Sequence, residues 1–317
     1  LAPSFYHALA ERPTLTIDGV EIPIEILAQD STCSGGGGQR VAELFASSPD
    51  VVGVIGDQCN VGCSVASPIY QNAGLVAISP SCTMPELSQN EALTFNRVIA
   101  PSTAEALAVA EYIYAEYGDH VAVVYDEQQH ARQFAPLFEA RYTELGGTVG
   151  IMLGTETSII DFDDLIDNIE YANATAVYYI GRAVNAGGLR AKLGADMPFV
   201  ASILGNTSAF VESAGDQADG AIFLQLEAPQ APDGFTVEAA YAYDATNILL
   251  DNLSDAVTVN GDEIIIQRPA LLEGIRAYQG AGLTGTLNCS TGDCASPDSS
   301  VWVLEEGVLT PYARANN

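Results

Sequence analysis

"VVGVIGDQCNVGCSVASPIYQNAGLVAISPSCTMPEL" (residues 51–87) decides the fold. Residues 51–58 form a continuous apolar run of buried-strand type, residues 64–74 show helical spacing, and "LVAIS" (75–79) returns to an unbroken apolar strand that stops at Pro80. The order is strand, helix, strand. Continuous apolar strands, unlike alternating ones, belong to parallel sheets covered on both faces. Upstream, "EIPIEILAQD" (21–30) reads as an alternating strand and "QRVAELFAS" (39–47) as a helix. Downstream, helices at 102–118, 134–147, 162–172 and 185–194 alternate with strands at 120–126, near 148–153 and at 175–181, and "PFVAS" and "GAIFLQL" follow as short strands. Two such sheets follow one another, and the division falls near Gly118. At 317 residues the chain exceeds the usual single-core size, which fits two lobes of roughly 100–150 residues each.

In open parallel sheets ligands sit beyond the carboxyl ends of the strands, where loops converge and helix amino termini present unpaired N–H groups. Ser81, Cys82 and Thr83 lie at such a corner, between the strand ending at Ser79 and a helix expected near Pro85. "GDQCN" (56–60), "YDEQQH" (125–130) and "YYIGR" (178–182) occupy equivalent places, so that each lobe supplies two strand ends to one expected cleft. Taken alone, Ser81 and Thr83 read equally well as caps of the helix near Pro85.

With 41 acidic against 11 basic residues, the formal net charge is −30, and Lys192 is the only lysine. Affinity for nucleic acid depends on Lys and Arg displacing counterions, so nucleic acid is excluded as a main partner. The surplus carboxylates are dispersed, as on the solvated surface of an exposed or salt-adapted protein. No apolar run approaches the roughly 18 residues of a membrane span, and the opening "LAPSFYHALAERP" has no basic leader followed by an apolar core; the chain as read is expected to be soluble. There is no G-x-S-x-G elbow, H-E-x-x-H helix, phosphate loop or dinucleotide fingerprint. Neither an enzyme nor a cofactor is expected, and no Ser or Cys is tied by motif to His130 as a nucleophile.

The cysteines Cys33, Cys59, Cys63, Cys82, Cys289 and Cys294 are either a metal set or disulfides. Spacing favours disulfides, because Cys59-x3-Cys63 and Cys289-x4-Cys294 miss the two-residue knuckles of zinc sites, and His7, His120 and His130 show no ligand-like spacing. Glycan acceptor patterns at Asn173, Asn206, Asn252 and Asn288 agree with an oxidising, extracytoplasmic address, although chance occurrence in a chain rich in Ser and Thr reads as well.

The segments "VVGVIGDQC", "ASPIYQNAGLVAISPSCTMPEL", "VAVVYDEQQH", "DFDDLIDNI", "AVYYIG" and "AYAYDATNIL", in this order, resemble the leucine/isoleucine/valine-binding proteins of bacterial ABC importers. The resemblance covers most of residues 21–226 and returns more weakly to the end. It implies an α/β, type I periplasmic-binding-protein fold: two Rossmann-like lobes with parallel sheets, joined by three crossovers, with the ligand cleft between them and hinge closure around the solute. Lobe one would be 1–117 plus 227–288, and lobe two 118–226 plus 289–317. It further implies an extracytoplasmic protein, periplasmic or a cell-surface lipoprotein. Such a protein would act as a monomer, bind an amino acid or small carboxylate and deliver it to the membrane permease of an ABC importer. In the family, side-chain hydroxyls and backbone N–H groups hold the α-carboxylate; the matching positions are Asn60, Ser81 and Thr83. The family's lobe-one disulfide maps to Cys33 and Cys59, and adjacency then pairs Cys63 with Cys82 and Cys289 with Cys294.

Departures from the family pattern alter the expected ligand. Arg182 and His130 stand where the family has aromatic residues, and no carboxylate falls near Ile203 or Leu204 to accept an α-ammonium. Arg182 suits a second carboxylate, so these departures point to an anionic or dicarboxylate-like solute spanning Thr83 and Arg182; otherwise Arg182 is a rim residue facing water. The family's first strand and its ligand-touching loop are expected to be missing ahead of "FYHALAE" (5–11). The segment "APQAPDGFTVEAA" (228–240) is short for the usual helical excursion, and "SGGGG" (34–38) is an odd lead-in to a helix. With the altered pocket, these features also allow a surface, scaffold or sensory protein that keeps the fold without transport.

Overall fold

A computed structural model of the chain describes residues 2–88, 93–126, 129–155, 162–204, 207–226, 236–261, 263–295 and 299–311. The chain divides into two compact units, the first Leu1–Pro101 with Glu227–Pro297, the second Ser102–Leu226 with Asp298–Asn317. It passes between them three times. The boundaries differ from those read in the sequence. The helix Ser102–Tyr117, expected in the first lobe, packs on the helix Gln129–Glu144 in the second unit, and the Cys289–Cys294 loop stays with the first.

The second unit is built on a 7-stranded sheet in the order Val308–Pro311, Ser299–Glu305, Ile222–Leu226, Phe199–Leu204, Ala176–Arg182, His120–Asp126, Thr148–Thr155. The strands from Ile222–Leu226 to Thr148–Thr155 run parallel, with Tyr125 opposite Ile180 and Gly181 opposite Ile203. Both sheet faces are covered, which is why these strands are apolar throughout. Val121, Val123, Tyr178 and Val200 face the helices Ser102–Tyr117 and Gln129–Glu144, while Ala122, Val124, Tyr179 and Phe199 face Phe162–Tyr171, Ala183–Leu193 and Thr207–Ala214. The Phe138 ring lies 5.3 Å from Tyr142 and 4.6 Å from Tyr178, and such aromatic pairs add about 0.5–1.5 kcal/mol each beyond their buried area. Arg190 is buried with no carboxylate acceptor among the described residues, its guanidinium donating instead to the carbonyls of Gln217, Gly194, Met197 and Asp219. It ties the end of its helix to the turns around it.

In the first unit a 3-stranded parallel sheet, Val54–Ile55, Ala77–Ser79 and Phe95–Arg97, lies between two layers of helices. Gly35–Ser47 and Asn60–Ala73 cover one face through Val41, Phe45, Ala66 and Tyr70, and Val237–Asp251 and Arg268–Ala277 cover the other through Ala245, Ile248, Leu271 and Ile275. The helix Ala2–Glu11 packs on Val237–Asp251, where the Tyr243 hydroxyl donates to Glu11 at 2.7 Å and Arg12 donates to Asp251 and Asn247. Cysteines pair as Cys33–Cys59, Cys63–Cys82 and Cys289–Cys294, all within this unit.

Three local readings require correction. The strand expected over 21–30 is confined to Val20–Pro23, because Asp18 and Gly19, both at positive φ, turn the chain back to pair with Thr14–Ile17 as a hairpin. The glycine run at 35–38 leads into nothing odd: it is the first turn of the helix Gly35–Ser47, whose Ser34 hydroxyl accepts the N–H of Gly37. The helix expected from 134 begins at Gln129, which takes His130 out of the strand-end loop and into a first helical turn.

Candidate functional site

Each unit presents one polar corner at the carboxyl end of its parallel strands. In the first, the strand Ala77–Ser79 gives way through Pro80 to Ser81–Met84 and a single 3-10 turn, Pro85–Leu87, beside the start of the helix Asn60–Ala73. Asn60 pins this corner. Its Oδ1 accepts the N–H groups of Thr83 at 2.8 Å and Met84 at 3.2 Å, and its Nδ2 donates to Thr83 Oγ1 at 3.4 Å. Ser79, fully buried, accepts the N–H groups of Cys82 at 3.0 Å and Ser81 at 3.3 Å and donates to the Asp57 carbonyl at 3.0 Å. Ser81 Oγ donates to the Gln58 carbonyl at 2.8 Å, and the Cys63–Cys82 bridge ties the corner to the helix.

The corner's electrostatics come from that helix. Its N-cap residue, Cys59, makes no side-chain cap, so the first-turn N–H groups give an electropositive end. The Asp57 carboxylate lies just ahead of it, accepting the N–H groups of Gln58 at 2.6 Å and Cys59 at 3.1 Å and the Ser31 hydroxyl at 3.0 Å. A Cβ at Gly62 would stand 2.1 Å from Asp57 Oδ2, so a glycine is required there. The result is a group of hydroxyls and backbone amides, set by helix and strand, with the Asp57 carboxylate beside the helix start.

In the second unit the strand order reverses between His120–Asp126 and Ala176–Arg182, since the strand that follows the first in sequence, Thr148–Thr155, lies on its outer side. This is the switch point at which open sheets leave a crevice. Buried Asp126 stands there and accepts the Arg182 N–H at 2.7 Å, and a Cβ at Gly181 would meet Asp126 Oδ2 at 2.4 Å. Arg182 ends the strand, starts the helix Ala183–Leu193 and is exposed. Burial, reinforced by Asp126, pushes the Tyr179 hydroxyl far above its ordinary pKa. Nearby on the same sheet, Ser202 Oγ donates to Glu105 at 2.8 Å and lies 2.8 Å from the Tyr178 hydroxyl. Burial pushes the Glu105 carboxyl up to about 7, the Ser202 bond partly opposing the shift.

Of the residues expected at a site, Asn60, Ser81 and Thr83 come together in the first unit, and Arg182 belongs to the second. The side chains of His130, Ile203 and Leu204, the glycan pattern residue Asn206 and most of 228–240 lie outside the described residues. The sequence did not single out Asp57 and Ser79, which order the corner of the first unit, or Asp126, which orders that of the second. Asp57 and Asp126 sit inside the strand-end segments read in the sequence, but their structural part, accepting backbone N–H groups, leaves no motif. Among the described residues no cluster of His, Cys, Asp and Glu is placed to hold a metal, and no helix is long and apolar enough to cross a membrane.

A sequence profile of the receptor family ligand binding region matches residues 16–186, more than half of the chain. The chain belongs to this family. The relatives that it matches include proteins of the leucine/isoleucine/valine-binding kind that the motifs resemble. The leucine-, isoleucine-, valine-, threonine-, and alanine-binding protein of Pseudomonas aeruginosa is 28% identical over 171 residues, 53% of this chain and 46% of that protein. The Leu/Ile/Val-binding protein of Escherichia coli K12 is 25% identical over 159 residues, 50% of this chain and 43% of that protein. The matched stretch thus spans about half the length of these curated relatives. Among solved structures, a leucine binding protein from Thermotoga maritima superposes with a TM-score of 0.73 at 22% identity, covering 98% of this chain and 91% of that one. A branched-chain amino acid ABC transporter protein from Rhodospirillum rubrum superposes with 0.76 at 23%, covering 98% and 95%. The fold is that of the type I periplasmic binding proteins.

Proposed function

We propose that the protein is an extracytoplasmic solute-binding protein of an ABC importer, closing its two units by hinge motion around a small carboxylate. The observation that carries this reading is the corner at Ser79–Met84, where hydroxyls and backbone amides ordered by Asn60 and Ser79 stand beside a helix start without a side-chain cap, at the end of a parallel strand. Names of the relatives support an amino acid or a related carboxylate as ligand. So does a fold neighbour from R. palustris, an ABC-transporter solute-binding protein with a TM-score of 0.75 at 14% identity, whose structure holds benzoate, a carboxylate without an ammonium. The head group would lie at Ser81 and Thr83. Arg182, exposed at the switch point of the second unit, would pair with a second carboxylate, and its charge disfavours an α-ammonium in the same place. Acting as a monomer, the loaded protein would hand its solute to a membrane permease.

Native mass spectrometry of gently purified protein tests this reading. The expected result is a monomer with the mass deficit of three disulfides, carrying a small acid that is released on unfolding. A homogeneous oligomer of fixed size that yields no small acid would contradict it.

A further inference from the structure

The corner at Cys82–Met84 is gripped from two opposite sides. Asn60 takes the N–H groups of Thr83 and Met84. From the other side Arg97, the last residue of the strand Phe95–Arg97 and fully buried, donates from Nη1 to the carbonyls of Cys82 at 3.3 Å and Met84 at 2.7 Å, the two that bracket Thr83. The Cys82 carbonyl and the Thr83 N–H belong to one planar trans peptide unit and point in opposite directions. With one end on Arg97 and the other on Asn60, that peptide plane is fixed.

Arg97 is itself held. Its Nε donates to Asp293 Oδ1 at 2.6 Å, its Nη2 donates to Ser88 Oγ at 2.7 Å, and the Ser88 hydroxyl donates to Asp293 Oδ2 at 3.0 Å, closing a ring of three side chains. Asp293 lies in the short loop closed by the Cys289–Cys294 bridge, and that loop's backbone is laced to the same residue: the Arg97 N–H reaches the Gly292 carbonyl at 2.8 Å, and the Cys294 N–H reaches the Arg97 carbonyl at 2.8 Å. A fully buried guanidinium is costly unless paired and hydrogen-bonded, and an apolar side chain would fill the space without that cost. The planar fork alone can hold two carbonyls and a carboxylate in fixed directions at once.

We infer that Arg97, oriented by Asp293, is a positioning residue for ligand binding: it fixes the peptide plane before Thr83 and so the direction in which this corner meets a carboxylate. The inference rests on the reading of the corner as the head-group site. Neither residue needs to touch the ligand. Sequence segments nearly 200 positions apart thereby act on one peptide unit.

The test combines hydrogen exchange with calorimetry on the full chain, using succinate and leucine as probes. Arg97→Lys places in the core an ammonium that cannot reach all the partners and is prone to misfold, so the deciding variants are Asp293→Asn, Ser88→Ala and the charge-keeping Asp293→Glu. Asp293→Asn is expected to speed exchange of the Thr83 and Met84 amides about tenfold while leaving the strand His120–Asp126 unchanged. It should weaken whichever probe the wild type binds by about tenfold, as couplings through packed polar networks do. Ser88→Ala should show a smaller effect in the same direction, and Asp293→Glu should recover most of both. Unchanged exchange at Thr83 and Met84, or affinity within twofold of wild type in Asp293→Asn, overturns the inference. If exchange accelerates while the wild type binds neither probe, the head-group reading is what fails, and the positioning role falls with it although the grip on the peptide stands.

Discussion

Gly36 and Gly38 are two residues of one glycine run with opposite demands. A Cβ at Gly38 would stand 2.9 Å from the Gly62 Cα and 3.1 Å from its carbonyl oxygen, so the helices Gly35–Ser47 and Asn60–Ala73 meet backbone to backbone; at Gly36 nothing lies within 4 Å. Gly36→Ala is expected to stabilise the chain by about 0.5–1 kcal/mol through helix propensity. Gly38→Ala should destabilise it by about 1–3 kcal/mol through overpacking, net of the smaller propensity gain. Denaturant midpoints compare the two, and similar midpoints would refute the close approach. Glu105 supplies a second test. Its residue keeps some surface but its carboxyl is enclosed, with a folded pKa of about 7 against an ordinary 4.5. Because the folded state holds the proton more tightly, the stability it contributes is complete below about pH 4 and is lost as pH rises through 7. Glu105→Gln should remove that slope and exceed wild type at pH 8 by about 1–3 kcal/mol, discounted for partial exposure. Thermal melts from pH 4 to 8 read the difference, and parallel curves for the two proteins would count against it.

At the scale of elements, the parallel core was legible because burial on both faces writes continuous apolar runs: "HVAVVYD" is the strand His120–Asp126 at both ends. Elements lying outside that core were not. The hairpins built on Val257–Asn260 with Glu263–Ile266 and Gln279–Gly282 with Gly285–Asn288 have strands of four residues with much surface, and the antiparallel strands Ser299–Glu305 and Val308–Pro311 follow no helix that would mark them as part of the parallel rhythm. The alternation in "EIPIEI" reads as one strand, but the turn at Asp18 and Gly19 folds it back on Thr14–Ile17, so that it pairs only as far as Pro23. The disulfide Cys33–Cys59 closes a loop of sequence separation 26, and replacing both cysteines by serine should cost about 3–4 kcal/mol in the chain-entropy view. Chemical unfolding of the double variant checks this; a loss below about 1 kcal/mol would mean that the helix packing already restrains the loop.

For the molecule as a whole, the net charge of −30 on 317 residues sets a condition on stability. Self-repulsion among dispersed carboxylates is relieved by screening, so the melting temperature should climb by several degrees from 0.1 M to 2 M sodium chloride. A flat or falling curve would show that surface ion pairs such as Arg141 with Glu111 and Glu144 matter more than the repulsion. The site was partly legible at this scale. Strand ends marked Asn60, Ser81 and Thr83 of the candidate corner in the first unit, but Ser79 there and Asp126 in the second unit act on backbone N–H groups, and Arg97 is held by a residue almost 200 positions away, which no local pattern encodes. The deciding measurement is isothermal calorimetry on unliganded wild-type protein, titrated with succinate and with leucine, and repeated on Thr83→Ala. Binding of succinate with leucine weaker, and a loss of about tenfold or more in Thr83→Ala, is the expected result. Micromolar leucine binding with no heat from succinate would refute the dicarboxylate assignment, and full affinity in Thr83→Ala would remove the head group from this corner.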